Sequence, residues 1–283
     1  MITAVSPAFS HSLDAPAALE KHTIEFSALA ERLAHPSHLG PWMRNYVEHH
    51  GMLYVKDVKL PTQPQTLEDI SAEFEQLCRT MGTLVEHNPG KKDYVWPIRA
   101  VKSQSSLKTF SEHNEAAPLH TDSQYRAQPE HFVAMWTIQP AQCGGGASDL
   151  LDFWQVCQDL EETSSGQALL ESLQSNHFPI GVPSIFREPG DRGYIEAPIL
   201  GGAVPFRYRY DTMQAGLERA EVANETELSQ ILDRLNEIVH SSPHRQILHL
   251  EVGDVLVVDN HRFLHGRTAF SDPDRHLLRI RFD

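Results

Sequence analysis

From Tyr94 to the C-terminus the sequence breaks into short, largely apolar runs of strand length, each bounded by turn residues. This texture limits the fold more than any other feature of the chain. The runs cover 94–102, 131–139, 171–180, 193–200, 205–211, 245–252, 254–260 and 276–282, and MLYVKDVKL at 52–60 alternates in the same way. Apolar residues recur at helical spacing from Pro16 to about Ala34 (Leu19, Ile24, Phe26, Leu29, Leu33), after a loose leader over 1–15. Further helices are predicted over 40–50, stopped by Gly51, over LEDISAEFEQLCRTMG ending at Gly82, over 151–162, and over 213–242. These helices are too few and too irregularly placed for a parallel α/β sheet, and no Gly-rich phosphate loop follows the first strand. The predicted fold is mainly β: a double-stranded β-helix, or jelly roll, with peripheral α-helices. With 283 residues and no internal repeat, one domain is expected. Residues 1–50 form its helical N-terminal extension and 52–283 its core, with helical insertions near 151–172 and 213–242.

Charge excludes some partners. Lys and Arg number 24 against 38 Asp and Glu, a formal net charge of −14, whereas nucleic acids and anionic membranes call for a basic face. No run of ~18 apolar residues suggests a membrane span, and the first residues carry neither a basic nor an apolar signal-peptide region. The three cysteines (Cys78, Cys143, Cys157) are sparse and without a CxxC motif, which points to a reducing compartment. A cytoplasmic protein acting on a small molecule is expected, with a homodimer as the default assembly.

Chemistry concentrates in three segments. In NEAAPLHTDSQY, His120 and Asp122 stand two apart, and on a strand residues i and i+2 point to one face. An imidazole and a carboxylate can therefore converge on one ion. The C-terminal stretch carries His265, then Arg275, Arg279 and Arg281. Two histidines and one carboxylate make the facial triad of non-haem iron oxygenases, which leaves three positions for a bidentate 2-oxo acid and dioxygen. Zinc hydrolases use similar ligands, so the triad alone does not fix the metal. The arginines favour iron: a 2-oxo acid held at the metal leaves its far carboxylate pointing inward, and a guanidinium fork binds carboxylate bidentately. Arg279, inside the apolar run LLRIRF, is the first candidate, because a buried charge needs a partner. Arg275 and Arg281 alternate with it and share its face if the strand is regular. In CGGGASDLLDF, the glycines allow a close backbone approach, and Ser148 is placed to bond the same carboxylate.

Together these pieces resemble the taurine dioxygenase-like (TauD/TfdA) family of 2-oxoglutarate oxygenases. HGRTAF followed by DRHLLRIR is most similar to its clavaminate synthase and amino-acid hydroxylase branch. HGMLYVKDVKL and MGTLVEHNPG resemble the family's opening, so the resemblance covers about residues 45 to 283. It implies iron(II) on His120, Asp122 and His265, with 2-oxoglutarate held by Arg279, Ser148 and Arg275 and dioxygen as second cosubstrate. The implied reaction releases succinate and carbon dioxide and hydroxylates the substrate. Related halogenases lack the carboxylate ligand, so Asp122 speaks against halogenation.

Substrate residues are sought at the mouth of the barrel. On a strand, Arg207, Arg209 and Asp211 of PFRYRYDTM face one way and suit the carboxylate and amine of an amino acid. Asn114, Glu115 and Tyr125 flank the HTD segment. The leading expectation is hydroxylation of an amino acid or amino-acid-like molecule. The same residues would serve a sulfonate, a betaine or a specialised-metabolism intermediate, by desaturation or cyclisation as well as hydroxylation. The rival classes are a metal-binding jelly roll without oxygenase activity, and a zinc hydrolase, for which no HExxH or other general base is evident.

Overall fold

The computed structural model describes residues 20–33, 35–59, 66–87, 90–101, 109–187 and 190–283. The leader over 1–15, the first turn of the helix read from Pro16, and the last residues of the runs at 52–60 and 94–102 lie outside the described residues. The strands are β1 (Thr23–Glu25), β2 (Met52–Lys56), β3 (Trp96–Ile98), β4 (Ala117–His120), β5 (Phe132–Gln139), β6 (Ser148–Asp152), β7 (Phe178–Gly181), β8 (Tyr194–Ala197), β9 (Gln246–Leu248), β10 (Val255–Asp259), β11 (Phe263–Arg267) and β12 (His276–Phe282). The α-helices are α1 (Phe26–Arg32), α2 (Leu39–His50), α3 (Leu67–Met81), α4 (Phe153–Glu161), α5 (Ser164–Ser175), α6 (Tyr210–Ala220) and α7 (Glu225–Ser241).

The strands form a six-stranded sheet in the order β1-β2-β10-β5-β12-β3, a four-stranded sheet in the order β4-β11-β6-β9, and the hairpin β7-β8. Alternation along β12 shows how they assemble. Leu278, Ile280 and Phe282 join Ala134 and Trp136 in a core with Met43 and Val47 of α2 and Phe74 and Cys78 of α3. Leu277 points the other way and joins Met135, Val133, Leu150 and Phe263 in a core drawn from both large sheets. That second core lies between the sheets. A third packs the far side of the smaller sheet, through Leu119, Leu151 and Leu264, against Leu169 and Leu173 of α5 and Leu228 and Leu232 of α7. Period-2 strands covered on both faces produce this layering. The chain is thus sheet-rich with helices outside the paired sheets.

Four sequence expectations are corrected. Residues 171–180 are not one strand: α5 runs to Ser175, capped by Thr163 Oγ accepting from Gly166 N at 3.0 Å, and only Phe178–Gly181 is extended. Leu169, Leu170 and Leu173 bury a helical stripe that the polar residues between them disguise. Residues 205–211 are not a strand either. Phe206 makes an isolated bridge to Leu200, and α6 has begun by Tyr210. The helix read over 213–242 is two, because Glu221 turns left-handed at φ 48°. Over its described part, the 16–34 segment is a short strand and then α1, with β1 pairing parallel to β2. By contrast α3 matches its reading, and its start is a capping box: Thr66 and Asp69 exchange side-chain-to-backbone bonds of 3.1 Å each. Among the described residues no helix is long and apolar enough to cross a membrane.

Candidate metal centre and cavity

The strand register brings His120 and His265 together, since β4 and β11 are antiparallel and these two residues are directly opposite. Both belong to the face of the smaller sheet that looks toward the larger one, because their neighbours Leu119 and Leu264 pack outward. Their rings lie 4.6 Å apart. β4 ends at His120, so Asp122 does not share its face through strand alternation as the sequence suggested. A polar clamp sets it instead. Asn260 Oδ1 accepts from Asp122 N at 2.7 Å, while Asn260 Nδ2 donates to the carbonyls of Asp122 (3.1 Å) and Glu130 (2.8 Å). One residue earlier, Thr121 N donates to Tyr208 O at 2.8 Å, and Tyr208 N to Thr121 Oγ at 3.0 Å. Asn260 is fully buried, at 0% exposure, so every bond it makes is shielded from water.

The result is a buried His–Asp–His group. His120 Nε2 is 3.6 Å and His265 Nε2 3.8 Å from the same Asp122 Oδ1. These gaps are too long for good hydrogen bonds. They are within the roughly 4.2 Å that two metal–ligand bonds of about 2.0–2.2 Å can span. His120 Nδ1 is 2.8 Å from Pro118 O, a bond that puts the proton on Nδ1 and leaves the Nε2 lone pair toward Asp122. His265 Nδ1 is buried with no hydrogen-bond partner. Burial holds the His120 imidazole below its ordinary pKa, which favours the neutral, ligating form. Burial pushes the Asp122 carboxyl the other way, but Arg279 and the two histidines outweigh it and hold the acid well below the usual range. Two imidazoles and an ionised carboxylate, converging at distances too long for good hydrogen bonds, fit a divalent cation.

Arg279 stands directly behind this group. Its Nη1 donates to Asp122 Oδ1 at 3.2 Å and lies 2.9 Å from Oδ2. Arg281, two residues on, bonds Ser123 Oγ and donates from Nη2 to His87 Nδ1 at 3.0 Å, with Glu130 3.3 Å away. Arg275 does not share their position. It precedes β12, beyond a register irregularity between His276 and Leu277, and its Nε donates to Gly146 O at 3.1 Å. Its Nη1 is buried and unpartnered, and burial with the nearby Arg267 pushes its pKa down to about 9. A recess of about 60 Å³ is lined by Ser148, His265, Arg267, Arg275 and Arg279, among others.

On the other side of the group opens a larger cavity of about 310 Å³. His120, Asp122 and Arg279 line it together with His87, Trp96, Phe110, Tyr125, Phe186, Arg209 and Asp211. His87 stacks on Trp96 at 3.6 Å, and Tyr125 on Phe186 at 5.4 Å. Arg209 and Asp211 form a bidentate pair of 2.8 Å bonds, with the guanidinium 4.0 Å above Phe110. Of the proposed substrate residues, Arg209, Asp211 and Tyr125 therefore line the cavity. Arg207 does not: it is buried and donates to the carbonyls of Gln124, Arg126 and Ala127, fastening that turn. Asn114 and Glu115 are exposed and outside the lining, and their carbonyls accept from Phe270 N and Arg267. Sequence reasoning missed Asn260, although the polar pair Asp259–Asn260 directly after the apolar run VLVV was its signal. It used His87 only as part of the family's opening.

The profile of the family described as taurine catabolism dioxygenase TauD, TfdA family matches residues 17–281. No curated protein sequence matches the chain. Among solved structures, asparagine oxygenase in complex with Fe(II), 2S,3S-3-hydroxyasparagine and succinate is similar, with a TM-score of 0.64 at 16% identity over 91% of this chain and 81% of that one. The non-haem iron oxygenase OrfP in complex with Fe, succinate and (3S)-hydroxy-L-Arg gives 0.63 at 16% identity, over 95% and 84%. OrfP with Fe and alpha-ketoglutaric acid gives 0.64 at 17%, over 91% and 82%. At these identities the likeness is one of fold.

Proposed function

The chain belongs to the TauD/TfdA dioxygenase family, and from that premise we propose that it is an iron(II)- and 2-oxoglutarate-dependent oxygenase that hydroxylates an amino acid or amino-acid-like small molecule. The observation that carries this reading is the buried convergence of His120, Asp122 and His265, the first two of which line the cavity, with Arg279 paired to Asp122. The paired six- and four-stranded sheets support reading the core as a jelly roll within a single oxygenase domain.

His120, Asp122 and His265 would hold the iron. Once bound there, iron(II), 2-oxoglutarate and dioxygen supply the oxidising chemistry, releasing succinate and carbon dioxide. The protein's own share is placement. Asn260 and the Thr121–Tyr208 pair fix the Asp122 turn, and the Pro118 carbonyl fixes the His120 tautomer. For the far carboxylate of 2-oxoglutarate we assign Arg275, with Ser148 beside it, as the main grip. Both arginines have a free buried nitrogen, Nη1 of Arg275 and Nε of Arg279, but the Arg279 guanidinium is already paired with the Asp122 carboxylate, whereas Arg275 donates only to the Gly146 carbonyl. Arg279 borders both the recess and the cavity and keeps the carboxylate ligand ionised. Arg209, Asp211 and Tyr125 are assigned to the substrate. Their mixed charge and ring surface suit a zwitterion, and structures of this fold hold hydroxylated asparagine and arginine.

The test is incubation with iron(II), ascorbate, 2-oxoglutarate and air across a panel of amino acids. Expected are succinate above an iron-free control and the gain of one oxygen atom on one class of compound. Absence of succinate under every condition, including uncoupled turnover, would refute the reading.

A further inference from the structure

Among the described residues two groups of three side chains bring metal-ligating atoms within 4.8 Å of one another. One is the centre already described. The other is His131, Asp259 and His261, and we propose that it is a second, separate site for a divalent transition-metal ion of the zinc type.

The second group is built with one atom of each anchored residue fixed and another left over. Asp259 Oδ1 accepts from His261 N at 2.8 Å, which orients the carboxylate and leaves Oδ2 free. His261 Nε2 is 3.0 Å from the Pro129 carbonyl. A carbonyl only accepts, so the proton is on Nε2 and the Nδ1 lone pair is open. This is the arrangement by which metal-bound histidines are usually held, their second nitrogen donating to a backbone oxygen. The His131 ring has no side-chain hydrogen bond to hold it and stacks 4.0 Å from Phe132 and 4.6 Å from His261, at 12° to the latter, so to ligate the same ion it turns out of this parallel stack and aims its in-plane lone pair at the metal. Its Nε2 is 3.5 Å from Asp259 Oδ1. That is long for a hydrogen bond and short enough to be bridged by two metal–ligand bonds.

Chain connectivity fixes the ligands without a folding cost of their own. Asp259 ends β10, His261 follows two residues later, and His131 immediately precedes β5, the strand that pairs with β10. A second carboxylate, the side chain of Asp283, accepts from His131 N through Oδ1 at 2.9 Å, so the surroundings are acidic. Arg262, the nearest cation in the chain, is turned away into a bidentate pair with Asp152. Two imidazoles and one carboxylate suit zinc, cobalt(II) or nickel(II), while magnesium and calcium demand more oxygen ligands. The site differs from the catalytic one in being half-buried, with the His131 side chain 37% exposed, so a fourth ligand can be water. It is also joined to that centre. Asn260 stands between Asp259 and His261 in the chain, its N donates to His131 O at 2.7 Å, and its side chain clamps Asp122.

The probe is zinc(II) in equilibrium dialysis against chelator-stripped full-length protein, repeated with cobalt(II) and read by visible absorption. Unaltered protein should bind two ions per chain. The His265→Ala variant should retain one, with the intense bands of a four-coordinate cobalt site. Adding His131→Gln to His265→Ala should remove it, at least tenfold in affinity, and adding His261→Gln instead should do the same. His131→Gln disturbs no hydrogen bond of the ring, so it guards against a merely unfolded variant, and the thermal midpoint of His265→Ala should rise with zinc while that of the double variant does not. If His265→Ala binds no ion, or if the double variants bind one as tightly as before, the proposal is overturned. Neither result would bear on the oxygenase reading, which rests on the other group.

Discussion

The two sheets present opposite chemistry to the space between them. The smaller sheet contributes lone pairs, through His120, His265 and Ser148, its one inward cation, Arg267, being taken up by the carbonyls of Phe110, His113 and Glu115, and the larger contributes cations, through Arg279 and Arg281. Elsewhere between the same sheets the contacts are apolar, among Leu150, Phe263, Met135, Leu277 and Val258. Polarity is thus confined to one region of a layer whose remainder is ordinary core. The lesson is a division of labour. One wall can hold a metal, and the other can hold anions and keep a carboxylate ionised, while Asp122 lies between them and belongs to neither strand.

If that division is real, the largest effect comes from the lone-pair wall. Replacing His265 or Asp122 with Ala should abolish iron binding and lower 2-oxoglutarate turnover by about 1000-fold or more, equivalent to about 4 kcal/mol. Iron retention on gel filtration and succinate release measure the two parts. A variant that keeps both would break the comparison at its root.

Removing cations should separate the arginines instead. Arg275→Ala is expected to raise the 2-oxoglutarate concentration for half-saturation by roughly 10- to 100-fold, the value of one charge-assisted hydrogen bond of about 1.5–3 kcal/mol. Its iron affinity should stay unchanged. Arg279→Ala should affect 2-oxoglutarate less and the metal more, since its partner is Asp122. Titrations of both ligands against both variants decide the matter, and the reverse order would return the main grip to Arg279.

Much of this division was legible in the sequence. HTD, the distal histidine and the closing arginines have spacing and residue types that only a few chemistries use, and β12 was read over its true length. What escaped was whatever depended on the third dimension. Alternation on a strand places Arg275 with Arg279 and Arg281, but Arg275 precedes the strand, where the register shifts. Arg207 has the charge of a ligand-binding residue and serves as a backbone fastener, because three carbonyls from one turn happen to surround it. Residues 171–180 have too little apolar content to reveal a helix that ends inside them. Asn260 is one side chain with no motif, and its role exists only because two distant turns meet there.

Asn260 offers the next test, because it fastens Asp122 between the two walls. Asn260→Ala leaves the Asp122 N–H and the Asp122 and Glu130 carbonyls without partners in a buried place. Metal affinity should fall by about tenfold, the lower end for supporting contacts of this kind. Stability should fall by about 1–3 kcal/mol, read from urea unfolding of the metal-free protein. Loss of stability alone, with metal affinity intact, would mean that the clamp holds the fold but not the ligand.

A pH dependence tests the one imidazole on the cation wall. His87 Nδ1 faces Arg281, and burial first, then Arg281 and Arg279, lower its pKa to about 3. An unfolded histidine titrates near 6.5. Between those values the unfolded chain takes up a proton that the folded one refuses, so stability is lost as pH falls from about 6.5 toward 3. The slope is at most about 1.4 kcal/mol per pH unit for this group. His22, which burial and His50 lower to about 4, adds a similar slope of its own. In His87→Gln the acid limb of the unfolding free energy should therefore become shallower without becoming flat. An unchanged limb would mean that His87 accepts a proton in the folded protein despite the two guanidiniums, and the cation wall would then be less positive than its residues imply.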